Sequence, residues 1–320
     1  MSMERALREF PKQFEFDPVI AHAARLVPRE KFVVAGMGGS ALVSDLVRAW
    51  RPELDIIAHR DYGLPGTILT DRLIIASSYS GNTEETMDAF QAALDRQLPT
   101  VAIGIGGKLL DLAEAHGAPF IRLPDTDIQP RSALGLHLIA LMALVGDDVG
   151  MAELRALASS LHVADCADRG ATLAARLHGK VPVIYASERN RGIAYNWKIK
   201  FNETGKIPAF MNVFPELNHN EMSGFDRIAS SAPLSDQVHF IFLRDPHDHP
   251  RVLRRMEVCQ ELYEQRGLPV EVVAGESGGF WQRTVTSLLI ADFAALRIAE
   301  AHGAEPEQVP MVEKFKTLMA

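Results

Sequence analysis

Residues 72–90 read RLIIASSYSGNTEETMDAF. An apolar run, Leu73 to Ile75, gives way to Ser77, Ser78, Ser80 and Thr83 crowded around Gly81, and a helix-like segment follows. Packing alone would put Val or Leu where a buried strand ends. Small hydroxyls at that place fit two readings. In one, Ser80 or Asn82 caps the next helix, and Glu84 and Glu85 complement its dipole. In the other, the hydroxyls and the first N–H groups of the helix form a cradle for an anion such as phosphate. The two are compatible, because an anion can occupy the same helix end.

The same strand-to-helix grammar extends in both directions. KFVVAGMGGS at 31–40 is a strand ending in glycines, and ALVSDLVRAW at 41–50 has helical spacing. DIIAHRDY at 55–62, TVAIGI at 100–105 and PFIRLP at 119–124 read as further strands, with a helix over 82–96. Strands alternating with helices predict a parallel sheet covered on both faces. Residues 131–178 hold no good strand. Leu134, Leu138, Leu141 and Val145 share one helical face there, and the stretch reads as a helical link. Beyond it the plan repeats. KVPVIYASE at 180–188, IPAFMNVF at 207–214, VHFIFLRD at 238–245 and LPVEVVAG at 268–275 read as extended segments. Helices are expected over 191–204, 250–266 and 278–302, with a terminal helix started near Pro310. The expected fold is therefore α/β: a first subdomain over 1–150, a helical linker over 151–179 and a second subdomain over 180–320.

Bulk composition narrows the partners. The 320 residues are 47% hydrophobic and 23% charged, as in ordinary globular chains, and the formal net charge is −8. No block of Lys or Arg stands out, which argues against nucleic acid as a partner. An anionic ligand must then be held by local groups against an unhelpful global field. Cys166 and Cys259 fit neither a disulfide framework nor a zinc site. The opening MSMERALREF lacks the apolar core of a signal peptide, and no stretch reaches the roughly 20 apolar residues of a membrane span. The expectation is a cytoplasmic protein.

In GMGGS at 36–40, glycines let backbone approach a ligand and the helix start offers unpaired N–H groups. Gly36 and Gly38 fit the dinucleotide fingerprint and Ala41 falls where its third glycine or alanine would sit, so with Asp55 and Asp61 a nicotinamide reading stays open. The hydroxyl cluster, which that reading leaves unexplained, favours phosphate. Gly38, Gly39, Ser40, Ser78, Ser80 and Thr83 are the candidate phosphate ligands, at strand ends where open α/β folds bind.

Five stretches in order carry a family resemblance. SSYSGNTEET resembles the signature of sugar isomerase (SIS) domains, flavodoxin-like modules that bind phosphosugars, and GMGGS resembles their companion glycine loop. QPRSALG at 129–135, KFNETGKIPAF at 200–210 and FPELNHNEMSGF at 214–225 resemble the Pro-Arg, glutamate and histidine segments of the bifunctional phosphoglucose/phosphomannose isomerases. The likeness spans nearly the whole chain. It implies an aldose–ketose isomerase that interconverts glucose 6-phosphate, and mannose 6-phosphate, with fructose 6-phosphate. It implies neither metal nor cofactor, and a homodimer whose histidine reaches the partner's active site.

Residue by residue, the resemblance gives Glu203 the role of the base that moves a proton between C2 and C1. A carboxylate suits that task if its pKa and position allow. Spacing alone leaves open an exposed helix salt bridge with Lys200 or Lys206. His219 matches the histidine that opens the sugar ring, and imidazole titrates in the right range; by itself it reads as a loop residue. Arg131 matches the cation that stabilises the enediolate, against a surface ion pair. A C-terminal lysine assists ring opening in the family. Lys314 and Lys316 both qualify, and the Val-Pro lead-in of VPMVEKFK at 309–316 favours Lys316. Where the family carries Asp-Pro-Thr-Pro, this chain has AEPEQVP at 304–310, so Glu307 or Gln308 is expected to alter the room in which the intermediate rotates. In DPHDHPR at 245–251, His247, Asp248 and His249 read as a proline-broken loop and not a metal site. A non-catalytic phosphosugar sensor on the same fold is the competing reading. An aminosugar isomerase joined to an amidotransferase is disfavoured, because no glutaminase segment is present.

Overall fold

The computed structural model describes residues 1–275 and 278–319. The chain divides into two compact units, one formed by Arg8–Leu161 with Met1, the other by Ser2–Leu7 and the residues from His162 onward. The opening helix α1 (Met3–Arg8) thus lies almost wholly with the second unit.

The first unit runs β1 (Ile20–Ala21), β2 (Lys31–Gly36), α2 (Gly38–Trp50), β3 (Asp55–His59), β4 (Arg72–Ser77), α3 (Glu84–Asp95), β5 (Thr100–Gly104), α4 (Gly107–His116), β6 (Phe120–Arg122), α5 (Leu134–Val145) and α6 (Asp148–Ser160). Its sheet has the order β1-β6-β5-β4-β2-β3. All neighbours are parallel except β1, which runs antiparallel to β6 at the edge. Counted among the parallel strands alone, this is the flavodoxin-like order 2-1-3-4-5. The strands form because their residues are apolar on both faces: every residue of β4 and β5 is buried, as a sheet sandwiched between helices requires.

The second unit runs α7 (Val163–Arg176), β7 (Val181–Ser187), α8 (Arg191–Glu203), β8 (Phe210–Phe214), α9 (Ala232–Ser235), β9 (Val238–Arg244), α10 (Pro250–Gln265), β10 (Val270–Ala274), α11 (Phe280–Ala301) and α12 (Pro310–Met319). Its sheet order, β10-β9-β7-β8, is wholly parallel and repeats the first unit's parallel pattern with one parallel strand fewer and no antiparallel edge. Tyr185, Phe240, Phe242 and Tyr263 form an aromatic core under this sheet. Among the described residues no helix is long and apolar enough to cross a membrane.

The expected link over 131–178 is not a separate layer. Helix α5 is buried nearly all round, not along a single stripe, and forms part of the first unit's core. Helix α6 packs on α5 and on the 3-10 helix Phe10–Glu15, whereas α7 packs along α11. The division therefore falls at Leu161, inside the stretch expected as a linker, because each flanking helix has an apolar face to cover in its own unit.

Candidate active site

The first unit's chain leaves β2 toward β3 on one side and leaves β4 toward β5 on the other. The connections diverge between these neighbouring strands, and such a divergence opens a crevice at the carboxyl ends. Both candidate loops lie there, because Gly36 and Ser77 are register partners at the ends of β2 and β4. Helix α2 begins at Gly38 and α3 at Glu84, behind the cap positions Met37 and Thr83, and neither makes a side-chain capping bond. The first N–H groups of two helices, each at a positive dipole end, are thus left without a capping side chain. Ser80 and Asn82 are not the cap of α3, since Thr83 takes that position and Asn82 Oδ1 accepts instead from the Lys108 amide at 3.2 Å.

The hydroxyls are less free than composition implied. Ser78 Oγ lies 2.8 Å from Thr83 Oγ1 and accepts from the Gly81 amide at 3.1 Å, so one hydroxyl hydrogen of the pair is used between them. Ser80 is exposed, and its Oγ accepts from the Asn82 amide at 3.3 Å while keeping its own hydrogen. Ser40 is buried and accepts from the Tyr79 amide at 3.2 Å. Gly38 sits exposed in the left-handed region at φ 50°.

Arg131 is brought to the same place. It lies half-buried in the 3-10 turn Pro130–Ser132, and a Cβ on Gly39 would stand 3.3 Å from the Pro130 carbonyl oxygen. Glycine at 39 is what lets the two backbones approach. The turn is held from behind by Gln13, which sequence reasoning missed. Its Nε2 donates to the Ser132 carbonyl at 2.6 Å, and its Oε1 accepts from the Gly135 and Leu136 amides at 2.9 and 3.2 Å. One buried amide therefore ties the Pro-Arg turn and caps α5 together.

In the second unit Glu203 is the last residue of α8 and half-buried. Ala194, Trp197 and Phe201 form the helix's fully buried face. The lysines expected as its salt-bridge partners make contacts beyond its carboxylate. Lys200 is buried with Nζ 2.5 Å from Asp292 Oδ2 on α11. Lys206 donates to the backbone carbonyls of Glu203 and Gln308, joining the end of α8 to the lead-in of α12. The Glu307 carboxylate accepts from the Met3 amide at 2.6 Å, which places it on the opening helix.

His219 ends the 3-10 helix Glu216–His219 and is exposed. Its loop is anchored through Glu221, which accepts from Tyr185 OH at 2.5 Å and from Asn212 Nδ2. Burial, reinforced by Tyr263 and the Glu221 carboxylate, pushes the Tyr185 phenol far above its usual range, so it stays a donor. Asn218 Oδ1 adds a contact from Arg255 at 3.3 Å. Lys316 is exposed on α12, paired with Glu313 at 2.9 Å, and is not joined by that bridge to Glu203 or His219. The 245–251 loop has structural work: His249 caps α10 by accepting from the Arg251 amide, and buried Asp248 accepts from Ser187 Oγ at 2.6 Å and Asn190 Nδ2 at 3.1 Å.

Residues 167–319 match the family described as bacterial phospho-glucose isomerase C-terminal SIS domain. A bifunctional phosphoglucose/phosphomannose isomerase of Caldicellulosiruptor bescii is 31% identical over 98% of this chain and 96% of its own length. The chain belongs to the bifunctional phosphoglucose/phosphomannose isomerase family. A family member of the same name from Aquifex aeolicus is 29% identical over 98% of this chain and 96% of its own. Among solved structures, a hypothetical protein of Thermus thermophilus superposes with a TM-score of 0.71 at 19% identity, covering 99% of this chain and 87% of that one.

Proposed function

We propose that this isomerase-family chain interconverts glucose 6-phosphate, and mannose 6-phosphate, with fructose 6-phosphate. The observation that carries the reading is the first unit's divergence point. There, two helix starts lack side-chain caps, and that of α2 packs against the Arg131 turn. Neutral donors and helix ends suit a phosphate in a protein whose net charge is −8.

The 6-phosphate is held by the N–H groups of the α2 and α3 starts and by the Ser40, Ser80 and Ser78–Thr83 hydroxyls. His219, acting in the partner subunit's site of a homodimer, moves the proton between O5 and O1 that opens the ring, with Lys316 assisting. The Glu203 carboxylate takes the C2 proton. The electron pair of that C–H bond becomes the C1–C2 double bond, and the carbonyl at C1 becomes an enediolate oxygen. Arg131 stabilises its charge, an effect strongest where water is excluded. A proton then passes from O2 to O1, Glu203 returns its proton to C1 through the electron pair of the C1–C2 double bond, and the pair left on O2 closes the C2 carbonyl of the ketose. The enediol has lost the C2 stereocentre, so the same base reaches both aldose epimers. The reaction runs in the cytoplasm and uses this chain's own groups for every proton.

Glu203→Gln tests the assignment in a coupled assay of fructose 6-phosphate formation with chelator present. The expected result is a fall in kcat of about 10² to 10⁴-fold, the usual contribution of a general base. Near-wild-type turnover would remove Glu203 from the mechanism. A phosphosugar sensor would bind fructose 6-phosphate and show no turnover even in the wild type.

A further inference from the structure

Behind the phosphate cradle, one side chain touches both of its turns. His137 is the sole polar side chain of α5 and is fully buried. Its Nδ1 lies 3.0 Å from Ser77 Oγ at the end of β4. Its Nε2 lies 3.3 Å from Ser40 Oγ in the first turn of α2. Ser40 Oγ in turn accepts from the Tyr79 amide at 3.2 Å. The ring therefore bridges the two loops that diverge at the crevice, and nothing in the family motifs marks it.

The hydrogen count discriminates between two arrangements. Burial holds the imidazole pKa down to about 3, so the ring is neutral, with one donor and one acceptor. If Nδ1 carries the proton, it donates to Ser77, and Nε2 must accept the Ser40 hydroxyl hydrogen. Ser40 is then turned inward and has nothing to offer a ligand. If Nε2 carries the proton, it donates to Ser40 Oγ, and Nδ1 accepts from Ser77. Both lone pairs of Ser40 are then occupied, by Tyr79 N–H and His137 Nε2–H. Its single hydrogen has one direction left, out of the network at the start of α2.

We propose that His137 is a positioning residue of the cradle: as the Nε2–H tautomer it turns the Ser40 hydroxyl outward as a donor to the substrate phosphate. The role rests on the phosphate-cradle reading above and deepens it. His137 never touches substrate and acts only through Ser40. The bridge to Ser77 also sets the spacing of the two turns, so that both helix starts address one anion.

The test uses the full chain and inorganic phosphate as the probe. Nitrogen-15 NMR of the histidines, with the His137 signals identified by their loss in His137→Phe, reports the tautomer directly. Protonated Nε2 in the phosphate-bound protein is expected, and protonated Nδ1 would overturn the proposal. Calorimetry then compares the wild type with His137→Phe, His137→Gln, Ser40→Ala and the double variant His137→Phe/Ser40→Ala. Losing one hydrogen bond to a charged group should weaken phosphate binding about 10- to 100-fold in His137→Phe. His137→Gln, which keeps a donor, should recover most of that. The double variant should bind no more weakly than Ser40→Ala, since one residue works through the other. KM for fructose 6-phosphate should rise with the phosphate Kd, and kcat should change far less. Losses that add in the double variant, or unchanged affinity in His137→Phe, would show that the histidine merely fills space. A wild type that binds neither phosphate nor fructose 6-phosphate would instead overturn the cradle itself. The tautomer measurement on the wild type stands even if His137→Phe folds poorly, because Ser40→Ala perturbs the same nitrogen.

Discussion

A buried contact one turn away helps to fix the end of α8 that carries Glu203. Lys200, one turn earlier on α8, and Asp292 on α11 have side chains 4% and 8% exposed, with 2.5 Å between Nζ and Oδ2. Removing one member of such a pair leaves an uncompensated buried charge, which costs about 3–5 kcal/mol, whereas replacing both by apolar residues of similar size is often nearly neutral. Lys200→Met should therefore lower unfolding stability by about 3–5 kcal/mol. The double variant Lys200→Met/Asp292→Leu should recover most of it, as read by urea denaturation. Recovery failing in the double variant would mean that the lysine stem, not its charge, does the packing. Spacing along α8 read Lys200 as a surface partner for Glu203, because sequence shows neighbours one turn away and hides a partner on another helix. His137 was hidden for the same reason. Ser78, Ser80 and Arg131 could be named as candidates because each sits in a contiguous motif.

At the scale of elements, buried parallel strands were the easiest to read, since a strand covered on both faces is a continuous apolar run. RLIIAS of β4 is the plainest case. The antiparallel edge strand β1 is too short to show any period, and the 3-10 helix Phe10–Glu15, which presents Phe10, Gln13 and Phe14 inward, is too short to repeat its stripe. Helix α5 misled differently: a helix buried nearly all round has no stripe to find. The His219 segment is two successive 3-10 helices whose placement depends on Glu221 accepting from Tyr185 on β7 and from Asn212 on β8. Hydrogen bonds to charged groups contribute about 1.5–3 kcal/mol, so Tyr185→Phe should destabilise the second unit by about that amount. Glu221→Ala should loosen the His219 loop as well and lower kcat/KM about tenfold or more, at the scale of one such bond. Paired stability and kinetic measurements check both. Full activity in Glu221→Ala would show that the loop finds its place without this anchor.

Across the whole molecule, titration should set the acid limit of stability. His137 has an ordinary pKa of 6.5 when unfolded and about 3 in the folded first unit, where burial disfavours its charge. Between those values the unfolded chain binds more protons than the folded one, so stability rises with pH there. The contribution is fully present above pH 6.5 and is lost as pH falls toward 3, at about 1.4 kcal/mol per pH unit. His239 in the second unit is depressed chiefly by burial and has the same sign. Asp55, held low by its hydrogen bond from Arg72, adds a further loss only once pH falls below the ordinary carboxylate range. Asp248 works the other way: burial raises it, so its protonation favours the folded second unit in acid. The first unit should therefore weaken earlier than a carboxylate-driven protein would. From pH 7 to pH 5 its unfolding free energy should fall by about 2 kcal/mol, the His137 slope applied below its unfolded pKa. In His137→Phe most of that pH dependence should vanish, whatever the variant's absolute stability. Denaturant unfolding of the full chain at pH 7, 6 and 5, followed by a probe in the first unit such as Trp50, measures it. An equal loss in wild type and variant would assign the acid sensitivity to other groups.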